Sequence, residues 1–356
     1  MSARPELRAL LDNSLRESRH PEAGQHLEDA ILSSPMLSRL LANAASQSRP
    51  NGPLLEAIEF SAEGLNSAGH FDASTRTLFI SSEPFGTPQT ELNGQEAAFD
   101  QIVSTLGHEA AHAFGAPAHQ KSAENLYEAA YDLARDAGPG GHVDLTEQVR
   151  DYLTGARAEE AAAERIGLAV LADRITHTNG GILDTSVLLQ RASPTTQCVS
   201  RHGLKHALAP GLSLDERGHI PSEQREAVAQ CHFDASQHGL GQSGSASYRN
   251  YYAAYAIERI EAATRGWVNP PTVVLRMEEL GLDQEQIQGA GLNFERAGRT
   301  TKILDPATGV LTFHHNKEGA GRVLPSSGLD VLTSDTPPDA GARELSPAHQ
   351  DAALQR

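Results

Sequence analysis

Leu7, Leu11 and Leu15 recur at helical spacing near the start of the chain, and Leu37, Leu40 and Leu41 do so again after the breaker "SSP". Side chains three or four apart share one helix face, so residues 1–55 read as short helices. The period then changes. "EAIEF", "GHF" and "RTLFIS" are short β-like runs, and "DAST" between the last two is a turn sequence, which predicts a hairpin over 69–81. The helical period returns at "NGQE", where Asn93 and Glu96 have the spacing of a capping box. Phe99, Ile102, Val103 and Leu106 then form an apolar stripe in "AAFDQIVSTLGHEAAHAFGAP", with Gly115 and Pro117 as the expected stop. "SAENLYEAAYDLARDAG" predicts a further helix. A long one follows from the Asp144…Glu147 box to about Ile175, with weak points at Gly155 and Gly167. Helical pieces and loops are expected to about 240. "SASYRNYYAAYAIERIEAATRG" is then a strong amphipathic helix, "VLRMEEL" reads as helical, and "TKILDPATGVLTFHH" reads as a hairpin.

These elements predict an α+β fold that is mostly helical. Four segments are expected: an N-terminal helical segment (1–55), a core (56–175), a helical C-terminal subdomain with a hairpin (176–323), and a tail (324–356). The tail is rich in Pro, Ser, Asp and Ala with little to bury, the composition of a disordered segment. A chain of 356 residues buries enough core to need neither disulfide nor metal for folding. Cys198 and Cys231 would form at most one bridge, and the simplest expectation is two reduced thiols.

With 29 basic against 46 acidic residues, the formal net charge is −17. Such a surface repels phosphate backbones and anionic lipid, so no nucleic-acid partner and no membrane insertion are expected. The opening residues lack the apolar run and cleavage site of a signal peptide. Synthesis in the cytoplasm is expected, with any export by a non-classical route.

The candidate chemistry centres on "STLGHEAAHAFG", residues 104–115, in which His108, Glu109 and His112 spell H-E-x-x-H. Residues i and i+4 of a helix point the same way, so two imidazoles can grip one metal ion. Glu109 follows a ligand without being one and is the candidate general base. A catalytic zinc site takes three protein ligands and leaves one position open. Metzincins resemble this stretch up to Gly115, but the position for their last histidine is Ala118, and His119 is one residue out of register. "EEAAAERIG", residues 159–167, contains Glu160, Ala163, Glu164 and Gly167 in the pattern E-x-x-A-[DE]-x-x-G. This resembles the second helix of gluzincins, in particular the small endopeptidases of the prenyl-protein and heat-shock type. The resemblance covers roughly residues 95–172. It implies a zincin-like catalytic core over 56–175, one Zn2+ per chain, Glu160 as third ligand and Glu164 holding a ligand histidine by its free nitrogen.

Gluzincin sites often add a tyrosine or histidine that donates to the tetrahedral intermediate. Tyr248, Tyr251, Tyr252 and Tyr255 cluster on one predicted helix, and Tyr252 is the candidate donor. "GLGQSG" (239–244) fits G-x-G-x-x-G, but no strand precedes it and it reads as a loop. His202 and His206 flank Gly203, which weakens any helix there.

The expectation is a zinc metallopeptidase that hydrolyses amide bonds through zinc-activated water. Its substrate would be peptide, protein or peptidoglycan peptide. The architecture also resembles a bacterial secretion-system effector or toxin with a secretion or immunity partner. The alternatives are a non-catalytic zinc-stabilised binding protein, which a fourth protein ligand would mark, and an intracellular regulatory protease.

Overall fold

The computed structural model describes residues 5–17, 21–49, 52–61, 68–81, 92–236, 239–241, 243–264, 271–292, 295–296, 300–305 and 307–315. They form two compact units. Among these residues, one unit contains the chain up to Ala116 together with Ala158–His232; the other contains Pro117–Arg157 and the described residues between Phe233 and Asp330.

The first unit begins with three helices, α1 (Pro5–Glu17), α2 (Pro21–Ser33) and α3 (Pro35–Ser46). Ser34 caps α3: its hydroxyl accepts from the Leu37 N–H at 3.2 Å, and Pro35 follows at the first helical position, where no N–H is needed. The predicted leucine stripe is buried at Leu7, Leu11, Leu37, Leu40 and Leu41. Two short strands, β1 (Ser48–Arg49) and β2 (Gly52–Pro53), pair with each other. β3 (Ala57–Ser61), β4 (Gly69–Asp72) and β5 (Thr77–Ser81) form a sheet in the order β3-β5-β4. β4 and β5 are the predicted hairpin, and β3 lies parallel to β5. Ile58, Leu78 and Ile80 point into the same core as the helical leucines.

Two long helices follow, α4 (Leu92–Ala137) and, after β6 (His142–Asp144), α5 (Thr146–Thr178). α4 does not stop at Gly115 as the sequence suggests. It runs through Pro117 and absorbs the separately predicted helix. A proline removes one helical hydrogen bond, and the stripe resumed by Ala123, Leu126, Ala130 and Ala134 buries enough to offset that loss. Asn93 is already inside α4, and Glu96 pairs with Arg174 and Arg191 instead of closing a capping box.

After α6 (Thr185–Ala192), where helical pieces were expected, β7 (Val199–His202) and β8 (Lys205–Leu208) form a hairpin. His202 and His206 lie on its two strands. The first unit closes with α7 (Arg225–Cys231). Cys198 and Cys231 are bridged, contrary to the expectation of reduced thiols: the fold brings their Cα atoms to 5.1 Å, within reach of a disulfide.

The second unit contains α8 (Tyr248–Thr264), β9 (Thr272–Arg276), α9 (Met277–Leu280), α10 (Gln284–Gly289), β10 (Glu295–Arg296), β11 (Thr300–Asp305) and β12 (Val310–His315). Its five-stranded sheet runs β10-β11-β12-β9-β6. β11 and β12 are the predicted hairpin. "VLRMEEL" is helical only from Met277; its first three residues end β9, where Val273 and Leu275 are fully buried. The architecture is α+β and mostly helical. Among the described residues no helix is long and apolar enough to cross a membrane. The tail from 324 lies outside the described residues.

Candidate metal centre

Two glycines let α4 and α5 approach closely in the first unit. A Cβ on Gly107 would lie 2.3 Å from Val170 Cγ2 and 3.3 Å from the Gly167 Cα, and one on Gly167 would lie 3.0 Å from the Ser104 carbonyl oxygen. Only a pair of bare backbones fits. His108 follows Gly107 directly, with His112 one turn on. Glu164 and Glu160 precede Gly167 on the facing helix, so the close approach brings two imidazoles against two carboxylates.

α7 supplies a third imidazole. His232 caps its C-terminus, with its N–H donating to the Val228 carbonyl at 2.8 Å. Val228 and Ala229 pack α7 into a core that includes Ala161, Leu168, Leu171 and Ala172 of α5. The His232 ring lies 5.5 Å from that of His108.

The three rings share one arrangement. Each directs Nε2 at Glu160: His108 at 3.4 Å and His232 at 3.6 Å from Oε2, His112 at 3.6 Å from Oε1. The Nε2 atoms of His108 and His112 are 3.2 Å apart. Each Nδ1 faces a carboxylate other than Glu160. Glu164 Oε2 lies 3.5 Å from that of His108 and 3.4 Å from that of His232, and Glu159 Oε1 lies 3.1 Å from that of His112.

Glu160, Glu164 and His232 are buried. Burial opposes charge on His108, His112, Glu160 and Glu164, and proximity to opposite charge outweighs it. Burial disfavours the His108 cation, yet hydrogen bonds to Glu160 and Glu164 push its pKa up to about 9. Burial likewise disfavours the His112 cation, but Glu160 and Glu159 raise it well above the ordinary imidazole value. Against the same burial, His112 and His108 hold Glu160 well below the carboxylate range, and His232 and His108 bring Glu164 down to about 2.

The donor set suits a metal ion. One donor atom from each of His108, Glu160 and His232 lies within 4.8 Å of the others. Imidazole nitrogens with a carboxylate oxygen are a zinc donor set, and carboxylates at the far ring nitrogens are the usual means of orienting such ligands. His112 is not a member of this triad; its Nε2 lies 3.2 Å from that of His108 and 3.6 Å from Glu160 Oε1.

The remaining sequence-predicted residues fall as follows. Glu109 lies on α4 beside His108 and is half-buried. His119 and Tyr252 belong to the second unit. There His119 Nε2 is 3.3 Å from the Tyr152 hydroxyl, and its ring packs near Tyr252 and Tyr255. The sequence reading missed His232 and gave Glu159 no role.

No family model, no curated protein and no solved structure matches the chain. The make-up of the metal-competent cluster corrects the gluzincin resemblance. The metal-competent triad joins His108 to His232, 232 − 108 = 124 residues apart, and not the two histidines four apart on which the resemblance rested. Short motifs on alanine- and glutamate-rich helices match by composition as well as by descent, and here the third histidine arrives from an element that the motif does not describe.

Proposed function

We propose that the chain is a zinc-binding protein in which one ion ties α4, α5 and α7 together, and that the site is structural. The observation that carries this reading is the buried His108–Glu160–His232 triad, which draws one donor from each of α4, α5 and α7, with His112 beside it. His108, His112 and His232 aim Nε2 at the one carboxylate of Glu160. Four protein ligands are what a structural zinc takes, whereas a catalytic zinc keeps one position open. Bound there, the ion would neutralise the buried Glu160 carboxylate and would join elements distant in sequence.

A second reading, hydrolysis of peptide or peptidoglycan amide bonds, is favoured by Glu109 alone. Glu109 follows His108 in the chain, lies outside the donor triad and acts on His108 by its charge, which is compatible with a general base. Zinc would then supply a Lewis acid and an activated water, and one of the four donors would have to yield its place.

Metal analysis of the purified chain is the test. About one zinc per chain is expected, lost in His108→Ala. A fully folded, metal-free protein from zinc-replete, chelator-free preparation refutes the proposal. Digestion of peptides and peptidoglycan separates the two readings. Hydrolysis abolished by Glu109→Gln, with zinc retained, would replace the structural reading with the hydrolytic one.

A further inference from the structure

Resting on the metal-binding reading above, we propose that the Cys198–Cys231 disulfide is the positioning element of the site, holding His232 where it can ligate the ion. The bridge is connected to the cluster from both of its ends. On one side, Cys231 is followed directly by His232, whose ring lies between Glu160, Glu164 and His108. On the other side, the Cys198 N–H donates to the Thr196 hydroxyl at 2.9 Å, and Thr196 lies close enough to the Glu164 carboxylate to favour its charged form. Glu164 in turn faces Nδ1 of both His232 and His108. The disulfide thus closes a ring of contacts: Cys198, Thr196, Glu164, His232, Cys231.

α7 has only seven residues, and Val228 and Ala229 are its buried side chains. A helix that short is not stable by itself and takes its position from tertiary contacts. Two small apolar groups leave it free to slide or turn. A covalent bond at its last residue, one position before the ligand, restricts both motions. His108 and His112 need no such help, because they sit mid-helix at the glycine crossing. Only the third imidazole depends on a short element, and that element is the one that is cross-linked.

The test is zinc affinity of the full chain, read by competition with a chromophoric chelator, in a double-mutant cycle. Four proteins are compared: wild type, Cys198→Ser/Cys231→Ser, His232→Ala, and all three substitutions together. Far-UV circular dichroism checks the fold. Removing the bridge is expected to weaken zinc binding about 10–100-fold, the effect of removing support from a metal ligand. His232→Ala is expected to weaken it at least as much. In the His232→Ala background the cysteine substitutions are expected to add nothing, because the bridge acts through that ring. A bridge that merely stabilised the fold would give additive losses, and additivity overturns the inference. So does a cysteine variant that binds zinc within twofold of wild type. If the serine pair fails to fold, Cys198→Val/Cys231→Ala, which keeps the buried position apolar, enters the same cycle; failure of that pair to fold also overturns the inference, since the bridge then serves the fold. Wild type that binds no zinc refutes the metal-binding reading itself, a result distinct from all of these.

Discussion

Gly107→Ala tests the helix crossing on which the metal centre depends. Alanine in a helix interior is favoured over glycine by about 1 kcal/mol, so propensity alone predicts stabilisation. The packing predicts the opposite. The new methyl would lie 2.3 Å from Val170 Cγ2, more than 1 Å inside the usual carbon–carbon separation of about 3.5–4.0 Å. Val170 is fully buried and β-branched, so it cannot swing aside without leaving its rotamer. Overpacking of this kind costs about 1–3 kcal/mol, giving a net loss of up to about 2 kcal/mol. Val170→Ala alone removes the clashing atom and leaves a cavity, at about 2 kcal/mol from the lost methyl burial and the void. In the double variant the new methyl moves into the vacated space. The two losses should therefore fall short of additivity by at least about 1 kcal/mol. Urea unfolding of the chelator-treated protein measures this, provided the m-value is unchanged. Additivity within about 0.5 kcal/mol would mean that the two positions do not meet, and the crossing would be wrong.

Other outcomes follow from the same contacts. In metal-free protein, Glu164 at about 2 contributes stability that is present above its ordinary value of 4.5 and lost as pH falls toward 2; His108 at about 9 contributes stability that is full below 6.5 and lost as pH rises through 9. Chelator-treated protein should thus lose stability from pH 6.5 to 9.5 while zinc-loaded protein does not, and a flat metal-free profile over that window would contradict the charge assignment. Because His108 is protonated at pH 7 without metal, zinc binding should release protons, visible as a calorimetric enthalpy that varies with the buffer's ionisation enthalpy; a buffer-independent enthalpy would contradict it. Zinc at 100 times its Kd should add about 2.7 kcal/mol of stability, seen as a rise in Tm that chelator reverses, and an unmoved Tm would count against a structural ion. Arg174 is buried between Asp100 and Glu96, so Arg174→Met leaves the buried Asp100 carboxylate with the half-buried Arg191 alone, 3.3 Å away, and should cost about 3 kcal/mol in urea unfolding; Arg174→Met/Asp100→Leu should recover most of that, and a cost under about 1 kcal/mol for the single variant would show the pair to be unimportant.

Much of the scaffold was legible because it rests on local pattern. The stripe Phe99–Leu106, the turn "DAST" and the run before "PATG" each carry a period or a turn residue that admits few structures. Two members of the metal-competent cluster, His108 and Glu160, were legible as candidates, but the pairing of His108 with His112 was not the one the cluster makes. What local pattern could not carry was long-range. His232 lies just beyond a seven-residue helix, 232 − 160 = 72 residues past Glu160, at no spacing that a motif defines. Its one local signal is Cys231 beside it, and that helps only once the partner Cys198 is known to be near. Pro117 misled in the other direction: its usual meaning as a stop was overridden by apolar burial on both sides.

The most direct test is a crystal structure of the zinc-loaded chain with anomalous data at the zinc edge. One peak is predicted, about 2.0–2.2 Å from Nε2 of His108, His112 and His232 and from a Glu160 carboxylate oxygen. A peak held without His232, with solvent in its place, would contradict the four-donor site; no peak at all in this cluster would contradict the account as a whole.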